Sequence, residues 1–372
     1  MKRHKTRVVQ VGSLAIGGDN PIAVQSMTIT DTGNLPATIH QCKRLAEAGC
    51  EMIRVSVLNR AQASALGELK KAIHPIPLIA DIHFNYNLGL LAIEQGVDKI
   101  RLNPGNIGGI EKAAEVIRKA MNKGIPLRIG VNSGSVEQDL LDKYGYPTAE
   151  AIVESALRHV ENCERLGCKD VIVSLKMTDL EKTVASYRMF AKQTDYPLHV
   201  GITEAGMPGY GSIKSAAGIG ALLLDGIGDT IRVSLTGDPV LEIPVAYDIL
   251  KCTRRRVKSP EIIACPSCGR IQMDLEKVVR SVERQIEGIK KPLRISILGC
   301  AVNGPGEAME ADIGIAGGKE GGFLFRNGKE VARVNGEDEL VRVLVEEIRK
   351  ADAEGEVVGK NSTDFAVQAH AV

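Results

Sequence analysis

Short runs rich in aliphatic and β-branched residues recur along the first two thirds of the chain: PIAVQSM, MIRVSV, PLIADI, KIRLNP, LRIGVN, VIVSLK, LHVGIT and TIRVSL. Between them lie stretches such as Ala37 to Ala48 and Ala149 to Leu166, where apolar residues recur every three or four positions, the period of an amphipathic helix. Each unit therefore reads as strand then helix. The spacing is close to the roughly 30 residues per unit of an eightfold barrel of about 250 residues, with one longer step after LRIGVN. Parallel strands with right-handed crossovers follow. Eight comparable units favour a TIM (β/α)8 barrel over a doubly wound open sheet.

A weak internal repeat supports this reading, because the junctions run AGCEMIRVS, QGVDKIRLN, LGCKDVIVS and DGIGDTIRVS. Each places a glycine where a helix should stop in the left-handed C′ conformation. The next residue is expected to plug the lower end of the barrel, with Cys50 and Cys168 in the slot that Val97 and Ile227 fill elsewhere. Cys42, Cys163 and Cys252 fall on apolar helical stripes and are likewise predicted to be packing residues. The segment RVVQVGSLAIGG before the first strand predicts a hairpin over the barrel floor.

After the eighth strand come a helix at 244–250 and the basic run TRRRVKSP at 253–260, read as a linker. A second unit follows: strand IIACP, helix LEKVVRSVERQIEGI, strand LRISILGC, a Gly-Pro turn, two strands around IGIAGG and GGFLFRNG, and a helix near Glu337 to Lys350. The predicted organisation is a barrel over 1–252, the linker, a small α+β domain over 261–350 and a polar, frayed tail over 351–372.

Composition narrows the classes. With 44% hydrophobic and 25% charged residues, the chain is neither disordered, collagen-like nor a disulfide scaffold. Lys+Arg 47 against Asp+Glu 46 gives a net charge of +1, so bulk attraction to nucleic acid or an acidic membrane is excluded and any anion site must be local. No window reaches the roughly 18 apolar residues of a membrane span, and the basic start has no long apolar region behind it. A cytosolic chain whose eight cysteines are reduced is expected, which makes the sequon at Asn361-Ser362-Thr363 incidental.

Four predicted strands carry Arg54, Arg101, Arg128 and Arg232, followed two places on by Ser56, Asn103, Gly130 and Ser234 on the same face. Polar side chains at the C-terminal rim of barrel strands are where barrel enzymes build their sites. Converging guanidiniums need anions. Either buried acids such as Asp98 or Asp229 neutralise them, or phosphate does, and a ligand with two phosphoryl groups suits four forks better than one. The same rim offers Asp81, His83, Asn103, Asn106, Asn132, Ser133, Lys176, Thr203 and Glu204. Glu204 would serve as an acid if desolvated, and as a helix cap otherwise. The loop MPGYGSIKSAAGIG matches neither common nucleotide-binding glycine pattern.

The strongest signal is Cys265-Pro266-Ser267-Cys268 followed by Cys300 in SILGCAVNGPGEA. Cys-x-x-Cys brings two thiolates to one centre, Cys300 ends a strand at a Gly-Pro turn, and Glu307 is a candidate fourth ligand. A thioredoxin-like dithiol and a zinc ribbon are alternatives, the second lacking its second Cys-x-x-Cys. An iron-sulfur cluster with three cysteine ligands and one exchangeable position is the reading these leave foremost. Two rival functions stand beside it: a zinc-ordered binding protein on a barrel scaffold, and an aldolase-like barrel using Lys176 as a Schiff base.

The segments PIAVQSMT, IRVSV, ADIHF, IRLNPGNIG, RIGVNSGS and GITEAG, with ACPSCGR and GCAVNGPGEA, resemble the 4-hydroxy-3-methylbut-2-enyl diphosphate synthases of the methylerythritol phosphate route to isoprenoids, in their bacterial two-domain form. The resemblance implies reductive ring opening of 2-C-methyl-D-erythritol 2,4-cyclodiphosphate. It implies a [4Fe-4S] cluster on Cys265, Cys268, Cys300 and Glu307, and a diphosphate clamp of Arg54, Arg101, Arg128 and Lys176. His83, Asn103, Asn132 and Ser234 would be its polar partners, Glu204 the proton donor to the departing hydroxyl, and Arg232 a residue of unassigned role. It further implies flavodoxin or ferredoxin as electron donor, and a homodimer in which the barrel of one subunit faces the cluster domain of the other.

Overall fold

Alternation along each apolar run decides how the first unit closes, since every second side chain turns inward and the others meet helices. The computed structural model describes residues 2–103 and 107–354, apart from the Ile110 side chain. It divides into two units, 1–255 and 256–372. Asn106, most of the tail and its sequon lie outside the described residues.

In the first unit, β1 (Val9–Val11) and β2 (Leu14–Ile16) form an antiparallel hairpin. The eight predicted runs become β3 (Ala23–Met27), β4 (Met52–Val57), β5 (Leu78–Ile82), β6 (Lys99–Leu102), β7 (Leu127–Asn132), β8 (Val171–Lys176), β9 (His199–Val200) and β10 (Thr230–Ile231). Their parallel order is β8-β7-β6-β5-β4-β3-β10-β9, and a parallel bridge between Val173 and Leu198 joins the two ends, closing the barrel. The crossover helices are α1 (Leu35–Glu47), α2 (Arg60–Ile73), α3 (Tyr86–Glu94), α4 (Ile110–Asn122), α6 (Ala149–Arg165), α7 (Leu180–Ala191), α8 (Tyr210–Leu224) and α9 (Glu242–Cys252). The longer step after LRIGVN holds the extra helix α5 (Gln138–Tyr144). Asn59, Thr148 and Asp179 cap α2, α6 and α7 by accepting a backbone N–H three residues on.

The repeated glycine junctions correct one expectation. Gly49, Gly96, Gly167 and Gly226 have φ of 98°, 77°, 83° and 84°, and the next residue donates its N–H back to the helix carbonyl five residues earlier: Cys50 to Leu45, Val97 to Ala92, Cys168 to Cys163, Ile227 to Leu222. These are Schellman stops, whose following residue packs on its own helix. Cys50, Val97, Cys168 and Ile227 therefore sit in the helix-to-strand layer and do not plug the barrel. The floor is sealed by the hairpin instead, as Val9, Val11 and Ile16 pack on Ala23, Met52, Ile79 and Ile172. Cys42 and Cys163 are buried as expected, whereas Cys252 is exposed. The buried stripe of α9 is Ile243, Ala246, Ile249 and Leu250, and Cys252 lies on the last turn, off that stripe.

The second unit is a five-stranded sheet in the order β11 (Glu261–Ala264), β12 (Arg294–Leu298), β13 (Ile313–Gly318), β14 (Gly321–Arg326) and β15 (Lys329–Asn335). The first three strands are parallel and the last two antiparallel. α10 (Leu275–Gln285) and α12 (Glu337–Ala353) cover it through Val278, Val282, Leu340, Leu344 and Ile348, and the short α11 (Gly304–Ala308) follows the Cys300 loop. Strand β15 was not expected. Its signal is Asn327-Gly328, with φ of 50° and 76°, the pair that a tight hairpin turn requires. Helix α12 also runs three residues into the predicted tail, where Ala351 is buried. Among the described residues no helix is long and apolar enough to cross a membrane.

Candidate active site

The inward face of the barrel strands carries Arg54, Lys99, Arg101, Arg128 and Lys176, none more than 8% exposed, with Arg232 beside them. Register places Arg101 opposite Arg128, and Asn132 opposite Lys176. Two glycines make room. A Cβ on Gly130 would stand 2.8 Å from Arg101 Nε, and one on Gly201 would stand 2.5 Å from the Arg232 carbonyl and 2.8 Å from Lys176 Nζ.

The counter-charge is Asp81, 3.0 Å from Arg101 Nη1 and 3.5 Å from Arg54 Nε, with His83 Nε2 at 3.4 Å. Burial opposes its ionisation, yet Arg54 and Arg101 hold its carboxyl well below the usual range. Arg232 turns to Glu242, at 3.3 Å, which also accepts from Ser26 Oγ. Asp98 and Asp229, the acids expected to offer neutralisation, face other partners: Lys70 for the first, Arg3 and Thr6 for the second. They precede the inward positions of β6 and β10 and so point away from the arginines.

Cations thus outnumber carboxylates inside the barrel. Arg128 has two buried nitrogens, Nε and Nη1, without a hydrogen-bond partner, and Arg101 has one, Nε. Desolvation, then Arg128 and Arg54, pushes the Lys176 amine well below its ordinary range. Desolvation lowers Arg54 to about 10. Such a well is built for an anion, because guanidinium stays charged when desolvated and its fork fits phosphoryl oxygens.

Around the well, Asn103 Nδ2 donates to Ser135 Oγ at 2.6 Å. Asn132, oriented to satisfy both ends of its amide, accepts from Arg101 Nη2 and donates to the Val131 carbonyl, each at 3.2 Å. Ser234 follows Arg232 on the loop after β10, half-buried. Glu204, at φ 54°, is exposed and accepts from Thr178 Oγ1 at 2.7 Å; α8 starts only at Tyr210, so it is not a helix cap. Exposed Ile29, Leu58, Phe84, Met207, Tyr210 and Leu241 follow the strand ends and give the charged well an apolar rim.

Lys99 was not singled out from the sequence, although it shares the inward face of KIRLNP with Arg101 and Asn103. The same holds for His199 on β9, which is wholly buried and meets Thr230 Oγ1 at 2.6 Å.

In the second unit, β11 and β12 are parallel neighbours with Ala264 opposite Ile297, so Cys265 and Cys300 leave the same edge of the sheet. Cys268 is exposed and the other two are half-buried. The Arg270 backbone N–H and then its guanidinium lower the Cys268 thiol, and the N–H groups of Asn303, Val302 and Gly304 lower that of Cys300. Both therefore favour the thiolate, the form that binds metal. Glu307 is exposed on α11. Among the described residues no three metal-binding side chains converge on one point, as a single ion would require. A polynuclear cluster binds each thiolate at a different iron, so its ligands surround a volume, and the donor set of three sulfurs fits that.

Two domain families match this chain: GcpE TIM-barrel domain over residues 6–247 and GcpE protein C-terminal domain over residues 261–350. It is 55% identical over 350 residues to the 4-hydroxy-3-methylbut-2-en-1-yl diphosphate synthase (flavodoxin) of Thermodesulfovibrio yellowstonii, covering 94% of this chain and 100% of that one. The identically named proteins of Geobacter sulfurreducens and Aquifex aeolicus are 53% and 51% identical, over 94% and 95% of this chain and 99% of each of theirs. The resemblance seen in the barrel-rim and cysteine segments holds along both units, and the chain belongs to the GcpE family.

Proposed function

We propose that this chain converts 2-C-methyl-D-erythritol 2,4-cyclodiphosphate to 4-hydroxy-3-methylbut-2-enyl diphosphate, the product in its relatives' name. Two electrons and two protons enter, the ring C–O bond breaks, and the departing hydroxyl leaves as water. The observation that carries this is the buried cationic well, where Arg54, Arg101, Arg128 and Lys176 stand against Asp81. The guanidiniums and the amine hold the two phosphoryl groups; Asn103, Asn132, Ser234 and His83 are their polar partners and orient the substrate by hydrogen bonds to its oxygens. Glu204 supplies the proton to the hydroxyl; it stands exposed at the rim beside Thr178, so the desolvation that makes it an acid comes from substrate covering it.

Cys265, Cys268, Cys300 and Glu307 would hold a [4Fe-4S] cluster. When bound, it supplies single low-potential electrons and a Lewis-acidic iron. Arg270 shifts the Cys268 thiol, and the Val302, Asn303 and Gly304 amides the Cys300 thiol, toward the form that binds metal. This reading takes 253–260 as a linker between substrate and cluster domains, and includes flavodoxin as donor, a homodimer and a cytosolic location. Nothing in the relatives supports the zinc-ordered binding scaffold.

The test is anaerobic turnover of the cyclic diphosphate by purified brown protein with a chemical reductant. Formation of the open diphosphate is expected; iron-free protein after oxygen-free purification, or iron-loaded protein that leaves the ring intact, sinks the reading. Borohydride trapping of substrate on Lys176 would return the aldolase-like alternative.

A further inference from the structure

Beneath the proposed clamp lies a lysine that clamp does not use. Lys99 is fully buried on the inward face of β6, two residues before Arg101. Its amine donates to Met52 Sδ, a weak acceptor at 3.9 Å. No carboxylate lies within ion-pair distance of it among the described residues. The groups sharing the barrel interior are Arg54 on β4, Asp81 on β5, Arg101 on its own strand, Arg128 on β7, Lys176 on β8, His199 on β9 and Arg232 after β10. Asp81 is taken by Arg54 and Arg101, and Glu242 by Arg232. From below, the hairpin packs apolar Val9, Val11, Ile16 and Leu14 on the floor. Both amide atoms of buried Gln25 and Nε2 of His199 also lack partners.

A sealed ammonium with no anion and several cations for neighbours is not a stable arrangement. Desolvation first, then Arg128 and Arg54, drives the Lys99 amine well below its ordinary range. An anion in the layer above reverses both neighbours' effect.

We propose that Lys99 is a counter-charge held in reserve, an uncharged amine in the substrate-free barrel that takes up a proton from solvent when the cyclic diphosphate enters. The inference rests on the functional reading above. It also suits the turnover, because opening the ring frees a terminal phosphate oxygen and adds negative charge that a charged Lys99 answers. The ligand itself does not titrate near neutrality, since each phosphorus of the ring carries one strongly acidic oxygen. Binding should then weaken as pH rises, by up to about tenfold per unit above the free amine's pKa.

Calorimetry of the holoenzyme with the cyclic diphosphate, in two buffers of unequal ionisation enthalpy, counts the protons. The wild type is expected to take up about two, one at Lys99 and one at Lys176, whose amine the same surroundings hold below its ordinary range. Lys99→Met should lower the uptake by one and make the pH dependence of Kd shallower; Lys99→Arg should lower it by one while keeping the charge. Lys176→Met should bind more weakly yet still take up one proton, at Lys99, and this arm decides the matter even if neither Lys99 variant folds. Uptake undiminished in a Lys99 variant, or absent in Lys176→Met, overturns the proposal. A protein that binds the diphosphate without uptake overturns this inference alone; one that does not bind it overturns the functional reading as well.

Discussion

The inside of the barrel and the cysteine edge of the second unit solve opposite problems. In the barrel, basic side chains are locked by burial before any ligand arrives: Arg128 is 2% exposed and Lys99 not at all, and neither has a carboxylate partner among the described residues. At the cysteine edge the reactive groups stand open, with Cys268 and Glu307 exposed and the thiols tuned by Arg270 and by backbone amides. The first region holds electrostatic energy that an anion releases. The second stands open to solvent, where charge stores little such energy. Rigid charge suits recognition of a small dianion, while an open thiolate edge suits a group that must be inserted after folding.

The largest effect expected from breaking one side alone is at Cys300. Cys300→Ala should lose most of its iron and all turnover, while the barrel's unfolding transition stays where it was. A variant that retains iron at the wild-type level would remove Cys300 from the ligand set. The converse change is Arg128→Met. Because Arg128 is buried without a partner, its replacement by an apolar side chain of similar length should stabilise the protein by about 1–4 kcal/mol in chemical denaturation. It should also raise the Kd for the cyclic diphosphate more than tenfold, since a charge-assisted hydrogen bond contributes about 1.5–3 kcal/mol. Loss of stability together with unchanged affinity would mean that Arg128 is a structural group.

A third change tests how tightly the well is packed. Gly201→Ala places a methyl against the Arg232 carbonyl and Lys176 Nζ, and backbone cannot give way cheaply. A cost of about 1–3 kcal/mol is expected, with weakened diphosphate binding through a displaced Lys176. Full stability would show that the strand relaxes there.

These two regions were not equally legible in the sequence. The eight strands were, because both faces of a parallel barrel strand are determined by the same apolar run, and alternation alone put Arg54, Arg101 and Arg128 on one face. Lys99 lay on that face too, but a lysine at a strand's first residue reads as solvent-exposed until a floor is known to cover it. The hairpin that supplies the floor was expected; its consequence for Lys99 was not. Which acid answers the arginines was illegible for another reason. Asp81 lies within β5, and Asp98 and Asp229 directly precede β6 and β10; only the inward phase of Asp81 separates them. At the cysteine edge the residue types gave the chemistry, while the spacing of sulfurs around a cluster depends on loop geometry that no local pattern encodes.

The smallest effect sharpens the contrast by using an ordinary pair from the barrel's outer wall. Glu137, which precedes α5, lies 2.9 Å from His159 Nε2, in the segment just after Ser135, the partner of Asn103. Burial works against ionisation there, but His159 and Ser155 override it and bring the carboxyl down to about 2. A carboxylate lowered on folding adds stability that is complete above its unfolded value of 4.5 and disappears as pH falls toward 2. Glu137→Gln should therefore be less stable than wild type near neutrality, by about 1 kcal/mol or less for a pair whose carboxylate still reaches solvent. That gap should narrow when urea midpoints are compared from about pH 6 down to about pH 3. Lys99 gives the opposite sign: a buried amine whose basicity is lowered on folding costs stability as pH falls, because the unfolded chain takes its proton more readily. Wild type and Lys99→Met should accordingly draw apart as the pH is lowered from the amine's ordinary value of 10.5 toward its lowered folded value, with the variant the more stable. If both pairs of curves ran parallel, neither the outer pair nor the inner cation would be titrating as its surroundings require.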